Sequence, residues 1–181
     1  MIHVCSLSRL HSTVKKTGAR HVVTLLGVDD QIERPAEVSA QNHLFLRMHD
    51  INEPLEGHVV PHAEHVASLI AFVRGWDRGT PLVVHCWAGI SRSTAAAFVV
   101  ACTLNPERDE RDIAWAIRRA SPTAAPNIRI VTLADAMLER KGRMVAAVEA
   151  IGRGAVAEEG VPFRLDLASP PACPPSEPGR G

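Results

Sequence analysis

The 181-residue sequence predicts an α/β fold with a central, mostly parallel sheet of four to five strands and helices on both faces. Two observations support this prediction. Short apolar runs alternate along the chain with stretches of helical periodicity, which is the order that successive βα units give. In addition, the apolar run over residues 81–85 leads directly into a cysteine, a short loop and an alanine-rich helical stretch. This strand–loop–helix junction would lie at the carboxyl end of a central strand, where ligands bind in open α/β sheets.

The first half of the chain is predicted to contain three strands. Residues 2–7 are short and apolar, and residues 21–25 form a second apolar run. Between them, residues 8–18 are predicted to form a helix, because position 18 holds a glycine, which commonly ends helices. Residues 35–40 are predicted to be a short helix or turn, and the alternation over residues 43–48 predicts the third strand.

The second half is predicted to be mostly helical around the central strand. Residues 61–74 carry an apolar stripe at helical spacing, and residues 90–104 are apolar enough to form a buried helix behind the loop. A further helix is expected to begin at Asn105-Pro106, since proline is favoured at the first helical position. The last clear helix is predicted over residues 127–141, and residues 144–151 are expected to continue it.

A change in composition divides the chain after residue 151. Residues 1–151 are long enough to form one domain with a sizeable core. Residues 152–181 are rich in glycine and proline and are expected to form a partly disordered tail. Residues 161–165 could still dock on the domain, although a solvated appendage is the preferred interpretation.

The charge balance argues against a general affinity for polyanions. The chain has 20 Lys plus Arg and 20 Asp plus Glu, so no basic field is expected for nucleic acid or an anionic membrane. Its four cysteines show no metal-binding spacing, and their scatter suits a reducing compartment. Because neither a signal-like start nor a bilayer-length apolar run is evident, we expect a cytoplasmic location.

The loop after the central strand combines a thiol, a glycine and a guanidinium. Five residues separate Cys86 from Arg92, and the helix that follows offers unpaired N–H groups at the positive end of its dipole. Backbone N–H groups of the loop would join them in an anion-binding nest, and the planar fork of Arg92 would hold two oxygens at once. The predicted phosphate-binding residues are Trp87, Ala88, Gly89, Ile90, Ser91 and Arg92.

This positive field would also favour the thiolate form of Cys86 and make it a nucleophile toward phosphorus. The Ser93 hydroxyl could donate to the sulfur and help it leave when a phosphocysteine is hydrolysed. His85 is expected to brace the loop by hydrogen bonding. The alternative is that Cys86 is a buried structural cysteine. Against this, histidine, cysteine, glycine, arginine and serine all occur on this loop where attack on an oxyanion needs them.

The stretch from His85 to Ser93 resembles the signature loop of the cysteine-dependent protein tyrosine phosphatase superfamily, and it is most similar to the dual-specificity branch. Pro126-Asn127 resembles a pair that this family carries after a short helix, which implies a supporting role for Asn127. The resemblance implies a three-layer phosphatase-like fold and a catalytic domain within residues 1–151. It also implies a cysteinyl-phosphate mechanism that needs no metal or cofactor.

The leaving oxygen of a phosphoester needs a proton, and Asp50 is the predicted donor. It follows the third predicted strand and would therefore border the loop in a parallel sheet. Family members have their acid aspartate at a similar distance before the cysteine. Glu53 is the reserve candidate, and the alternative for Asp50 is that it caps a turn before Asn52.

Three histidines at helical spacing, His58, His62 and His65, offer a rival metal site. No cysteine or carboxylate completes an obvious tetrahedral set with them. We therefore expect surface or substrate-rim histidines and no bound metal.

The sequence is compatible with several classes of substrate and function. The main hypothesis is a protein phosphatase acting on phosphotyrosine, with phosphoserine and phosphothreonine as further candidate substrates. The alternatives are a phosphatase of a non-protein ester such as an inositol phosphate or nucleotide, a module that binds phosphoryl groups without turnover, and a rhodanese-like sulfur transferase. The insert between Cys86 and Arg92 carries no charge, which disfavours polyanionic head groups. Trp87 is expected either to form an aromatic wall of the pocket or to pack under the loop, and the oligomeric state is open.

Overall fold

The computed structural model describes residues 1–167, and within them it confirms the predicted α/β fold. The described strands form one sheet in the order β3-β2-β4-β1-β5. The first four are mutually parallel, and β5 runs antiparallel to β1. The strands are β1 Ile2–Ser6, β2 His21–Leu26, β3 His43–Arg47, β4 Leu82–Cys86 and β5 Phe163–Leu165.

Helices cover both faces of this sheet, but unequally. They are α1 Leu10–Thr17, α2 Ala63–Arg74, α3 Arg92–Leu104, α4 Glu110–Ala120, α5 Ile128–Met137 and α6 Arg143–Ala150. Side chains alternate along each strand, so Val84 faces the main core with α2–α6, while Val83 faces a smaller cluster with α1. Leu10 and Val14 of α1 complete the smaller cluster. The result is a three-layer arrangement in which β4 is central.

Helix α3 is the centre of the main core. Every residue from Arg92 to Cys102 is buried, as expected for a helix that is apolar on nearly all sides. Because α3 follows β4 after only five residues, its N-terminus lies at the carboxyl end of the sheet.

The helix expected to begin at Asn105-Pro106 begins later, at Glu110. Asp109 is its N-cap, and its carboxylate accepts a hydrogen bond from the Arg111 N–H. The Pro106 carbonyl instead accepts a hydrogen bond of 2.8 Å from Arg140. Residues 105–109 therefore form a turn that is stabilised by tertiary contacts, which local sequence does not reveal.

The helix predicted over residues 127–141 is also shorter and ends at Met137. Glu139 and Lys141 both have left-handed backbone angles, with φ of 54° and 53°. The Asp135 carboxylate accepts the N–H groups of Gly142 and Met144, which begins α6 as a separate helix.

Part of the expected tail belongs to the sheet. Residues 163–165, which composition assigns to a solvated appendage, pair with β1 through Val4↔Phe163 and Ile2↔Leu165. Phe163 and Leu165 are buried while Arg164 is exposed, so a three-residue alternation covers the edge of β1. Residues 168–181 of the expected tail lie outside the described residues.

Within residues 1–167, no helix has the length and apolar character that crossing a membrane requires.

Truncation after residue 151 is expected to destabilise the domain. It would remove β5 and expose the edge of β1, at a cost of about 3–6 kcal/mol for two buried side chains at ~1.5–3 kcal/mol each. A chain ending at residue 167 keeps β5 and is the matched control. Urea unfolding of the two truncated chains measures the difference, and equal midpoints would contradict the structural role of β5.

Candidate active site

The loop between β4 and α3 turns tightly against the end of β1. Gly89 has a φ of 73°, a region that residues with a side chain rarely adopt. A Cβ at this position would lie 2.8 Å from the backbone carbon of Cys5 and 2.8 Å from the backbone nitrogen of Ser6. Glycine is therefore required both by the turn and by the close approach of the two backbones.

Two carbonyl groups of the loop point outward to neighbouring segments. The Trp87 carbonyl accepts a hydrogen bond of 3.1 Å from the N–H of Leu7, just after β1. The Ala88 carbonyl accepts one of 2.8 Å from the N–H of Gly160. Each partner lies on a different part of the chain, so the loop conformation depends on the tertiary fold.

The C-terminal half of the loop is held by the segment that contains Pro126-Asn127. The Ile90 carbonyl accepts a hydrogen bond of 3.0 Å from the N–H of Ala125, and the Ser91 carbonyl accepts one of 3.4 Å from the N–H of Asn127. Asn127 also caps α5, since its side-chain oxygen accepts the N–H of Ile130.

These outward carbonyls determine where the loop N–H groups point. In a trans peptide the C=O and the following N–H point in opposite directions. The carbonyls of residues 87, 88, 90 and 91 all have hydrogen-bond partners away from the loop centre, the last two also through Thr94 and Ala95 of α3. The next N–H in each case therefore points toward the centre of the loop. Together with the first turn of α3 they form a concave set of donors suited to an oxyanion.

Cys86 lies at the floor of this loop. Its Sγ is 3.1 Å from the Oγ of Ser93, and both residues are buried. The preceding His85 is fully buried and its Nε2 is 2.7 Å from the hydroxyl of Thr24, which in turn is 2.8 Å from the Nε2 of His43. Burial lowers the pKa of His85 to about 4, so its ring is neutral near neutral pH.

Arg92 is fixed against the chain between β3 and the acid candidate. Its Nη1 donates to the carbonyl of Met48 at 2.8 Å, and the residue is only 7% exposed. Its Nε has no hydrogen-bond partner among the described residues and lies 3.9 Å from Oδ2 of Asp50. A buried guanidinium with donors to spare, beside the loop N–H groups, is suited to an anion.

Asp50 lies at the loop, as expected for a residue that follows the third strand. Its Oδ1 accepts a hydrogen bond of 2.7 Å from the Ser91 hydroxyl and one of 2.9 Å from the Asn127 amide. The structure thus brings Asp50, Arg92 and Asn127 together from three distant stretches of the chain. Glu53, the reserve candidate, is exposed and does not line the cleft over the loop.

The clustered histidines stabilise the chain that leads into α2. The N–H of His62 donates to Nδ1 of His65 at 3.0 Å, at the start of α2. His49 accepts the N–H of Val59 at 2.8 Å and packs against His58, with ring centroids 4.7 Å apart. Within residues 1–167, no three His, Cys, Asp or Glu side chains are grouped as a metal site would require.

A cleft of about 380 Å³ opens over the loop, with Arg92 and Trp87 among its lining residues. Trp87 is 60% exposed, so it forms a wall of this cleft and does not pack under the loop. The remaining lining residues are Gly27, Asp29, Asp30, His49 and Asp50.

Sequence reasoning did not identify two residues that support the loop. Thr24 is a buried polar residue within an apolar strand, and that contrast was the available signal for its contact with His85. Gly160 gave no signal, because its contact with Ala88 joins distant parts of the chain through the fold alone.

Replacing Gly89 by alanine is expected to destabilise the protein by about 2–5 kcal/mol, because the positive φ costs ~1–2 kcal/mol and the backbone clash adds about 1–3 kcal/mol. Gly57→Ala is the matched control, since Gly57 also has a positive φ, 75°, but a Cβ there would meet no atom within 4 Å. Denaturant unfolding compares the two variants. Equal losses would show that the loop does not require close contact with β1.

Comparison with known proteins gives a family match and a set of similar folds. Residues 15–122, more than half of the chain, match the family model of the protein-tyrosine phosphatases. No curated protein sequence matches the chain.

Several solved structures share the fold at low sequence identity. A crystal structure of DUSP15 is 18% identical, with a TM-score of 0.61 over 83% of this chain and 89% of that one. A crystal structure of human DUSP28 is 15% identical, with a TM-score of 0.58 over 77% and 92% of the two chains. That of the human tyrosine phosphatase-like serine/threonine/tyrosine-interacting protein is 20% identical, with a TM-score of 0.56 over 76% and 87%. The chain therefore belongs to the protein-tyrosine phosphatase family and has the fold of its dual-specificity-like members.

Proposed function

We propose that the protein is a phosphomonoester hydrolase that forms a cysteinyl-phosphate on Cys86, and that it acts as a dual-specificity protein phosphatase. One observation carries the proposal above all others. The Cys86 thiol lies 3.1 Å from the Ser93 hydroxyl, at the floor of a loop whose tied carbonyls turn its N–H groups inward. A site that only bound phosphate would have no need of a thiol and a hydroxyl donor at that position.

In the first step the Cys86 thiolate attacks phosphorus, a P–S bond forms and the P–O bond to the leaving group breaks. The loop N–H groups and the Arg92 guanidinium stabilise the charge on the three equatorial oxygens. Asp50 gives its proton to the leaving oxygen, so the alcohol or phenol departs neutral.

In the second step water attacks the phosphocysteine and the P–S bond breaks. The Asp50 carboxylate takes a proton from that water, and inorganic phosphate is released. The Ser93 hydroxyl donates to the departing sulfur and stabilises the regenerated thiolate. Because this chemistry requires an unoxidised thiol, we propose that the protein works in a reducing compartment such as the cytoplasm.

The cleft supports a phosphorylated amino acid as the substrate. Apart from Arg92, its charged lining consists of Asp29, Asp30 and Asp50, with His49 beside them. An inositol polyphosphate or a nucleotide would place further negative charge against these carboxylates, which costs binding energy. A neutral or basic peptide around the phosphorylated residue would not meet that repulsion.

Two other functions are separated from this one by experiment. A binding module would retain affinity for phosphopeptides and show no turnover; one of the similar structures is of a phosphatase-like interacting protein. A phosphatase of non-protein esters would prefer inositol phosphates or nucleotides. A panel of phosphopeptides, inositol phosphates and nucleotides, assayed for phosphate release, distinguishes all three, and our proposal predicts highest kcat/KM for phosphopeptides.

Cys86→Ser is expected to lower hydrolysis of an aryl phosphate by about 10³-fold or more, because serine is a far weaker nucleophile at neutral pH. Binding of the same ester should persist, since the loop N–H groups and Arg92 are unchanged. Cys102→Ser, which exchanges another buried thiol near the C-terminal end of α3, is the matched control. Turnover by Cys86→Ser close to that of the control would overturn the mechanism.

Asp50→Asn is expected to slow alkyl phosphates by about 10²–10⁴-fold and activated aryl phosphates much less, because a good leaving group needs little protonation. Steady-state kinetics on both ester classes measure the ratio, and Glu53→Gln is the matched control. If both esters slowed equally in Asp50→Asn, or if Glu53→Gln showed the leaving-group effect, Asp50 would not be the acid.

A further inference from the structure

Besides Leu7 and residues 125–127, a third stretch of chain contacts the loop between β4 and α3 from its outer side. We call residues 152–162 the crossing segment; it leads from the end of α6 to the start of β5. The N–H of Ala155 donates to the carbonyl of Pro122 at 2.9 Å, and the N–H of Gly160 donates to the carbonyl of Ala88 at 2.8 Å. The segment therefore passes along the carboxyl end of the sheet before β5 joins β1.

Gly160 fits closely against the loop. A Cβ at this position would lie 3.0 Å from the carbonyl oxygen of Gly89 and 3.3 Å from Cγ1 of Ile90. These distances are shorter than most that a Cβ makes, so a side chain at residue 160 would push the loop away by a few tenths of an ångström. Its N–H is also the hydrogen-bond donor that turns the Ala88 carbonyl away from the centre of the loop.

Glu159 anchors this contact to β1. Its carboxylate accepts hydrogen bonds from the hydroxyl groups of Ser6 and Ser8. Those two bonds lower the pKa of Glu159, so it is a carboxylate at neutral pH. Ser6 is the last residue of β1, is 1% exposed and stands opposite Cys86 in the parallel register of the sheet. Glu159 therefore binds the end of β1, and the nucleophile Cys86 lies at the end of the neighbouring strand β4.

We propose that Glu159 and Gly160 are positioning residues for the phosphate loop, which hold the peptide between Ala88 and Gly89 so that the Gly89 N–H points at the bound oxyanion. This inference rests on the proposed function to the extent that the loop must bind a phosphoryl group. Two features of the crossing segment carry it. Gly160 supplies the donor to the Ala88 carbonyl, and Glu159 fixes the position of that donor.

A purely structural role for the crossing segment makes a different prediction. In that case the loss of Glu159 would lower the free energy of unfolding, and the folded protein would bind phosphate as well as before. A positioning role predicts weaker anion binding in a protein that is still fully folded, because the 88–89 peptide is then free to turn away.

The test uses the full chain and inorganic phosphate as the probe. Glu159→Ala removes the anchor, and Glu159→Gln keeps an oxygen that can accept from both serines. Glu158→Ala is the matched control, because Glu158 loses the same charge but makes no hydrogen bond or ion pair within residues 1–167. Phosphate affinity is measured by protection of Cys86 from iodoacetamide, with alkylation located by peptide mass spectrometry, alongside kcat/KM on an aryl phosphate and thermal unfolding.

We expect Glu159→Ala to weaken phosphate protection and to lower kcat/KM by about five- to tenfold, the effect of about one net hydrogen bond. Glu159→Gln should recover most of that loss, and Glu158→Ala should match the wild type. Ser6→Ala should reproduce the defect and add little to it in combination with Glu159→Ala.

Equal phosphate protection in Glu159→Ala and Glu158→Ala would overturn the inference, even if Glu159→Ala were less stable. Gly160→Ala provides a second readout, because its methyl group would lie 3.0 Å from the Gly89 carbonyl oxygen while the Glu159 side chain is unchanged. Unchanged phosphate affinity in this variant would also contradict the inference. Failure of the proposed function would look different. The wild-type protein would then show no hydrolysis, whereas the phosphate-protection comparison among these variants would still stand.

Discussion

The outward hydrogen bonds of the loop carbonyls are the constraint on which the site depends. They fix the orientation of the peptides between Cys86 and Arg92, so that the N–H groups of these peptides converge on one point. Three distant segments supply partners: the chain just after β1, residues 125–127, and residue 160. The first turn of α3 adds the Thr94 hydroxyl and the Ala95 N–H, which bind the carbonyls of Ile90 and Ser91. The conformation of this five-residue loop therefore depends on segments that lie far apart in the described chain. The positive potential at its centre is a consequence of the fold.

The sheet explains why these segments meet. Parallel pairing places the ends of β1 and β4 side by side, so that Ser6 stands opposite Cys86. The same pairing brings the end of β3, and with it Asp50, to the same edge. Behind the loop, the neutral ring of His85 is fixed by Thr24, so no buried charge has to be stabilised next to the thiol. The site thus keeps its positive charge on Arg92 and the backbone, where an oxyanion can use it.

Sequence reasoning predicted the elements with strong periodicity and the residues whose roles are local. The strand, loop and helix from residue 82 to residue 104 were predictable because apolar strand, glycine and helix start follow one another directly. The start of α4 was predicted wrongly, because the contact of Arg140 with the Pro106 carbonyl overrides the local preference of proline. Strand β5 was missed, since three residues in a proline-rich stretch give no period, and only the open edge of β1 makes them a strand. Contacts such as that of Gly160 with Ala88 depend on register and topology, which one sequence does not specify.

The central claim is that the loop N–H groups and Arg92 converge on an oxyanion attached to Cys86. A crystal structure of the protein with orthovanadate tests it most directly. We expect vanadium bonded to the Cys86 Sγ, with the N–H groups of Ala88, Gly89, Ser91 and Arg92 and the guanidinium of Arg92 donating to its oxygens. Vanadate bound elsewhere, or loop N–H groups that point away from it, would contradict the claim.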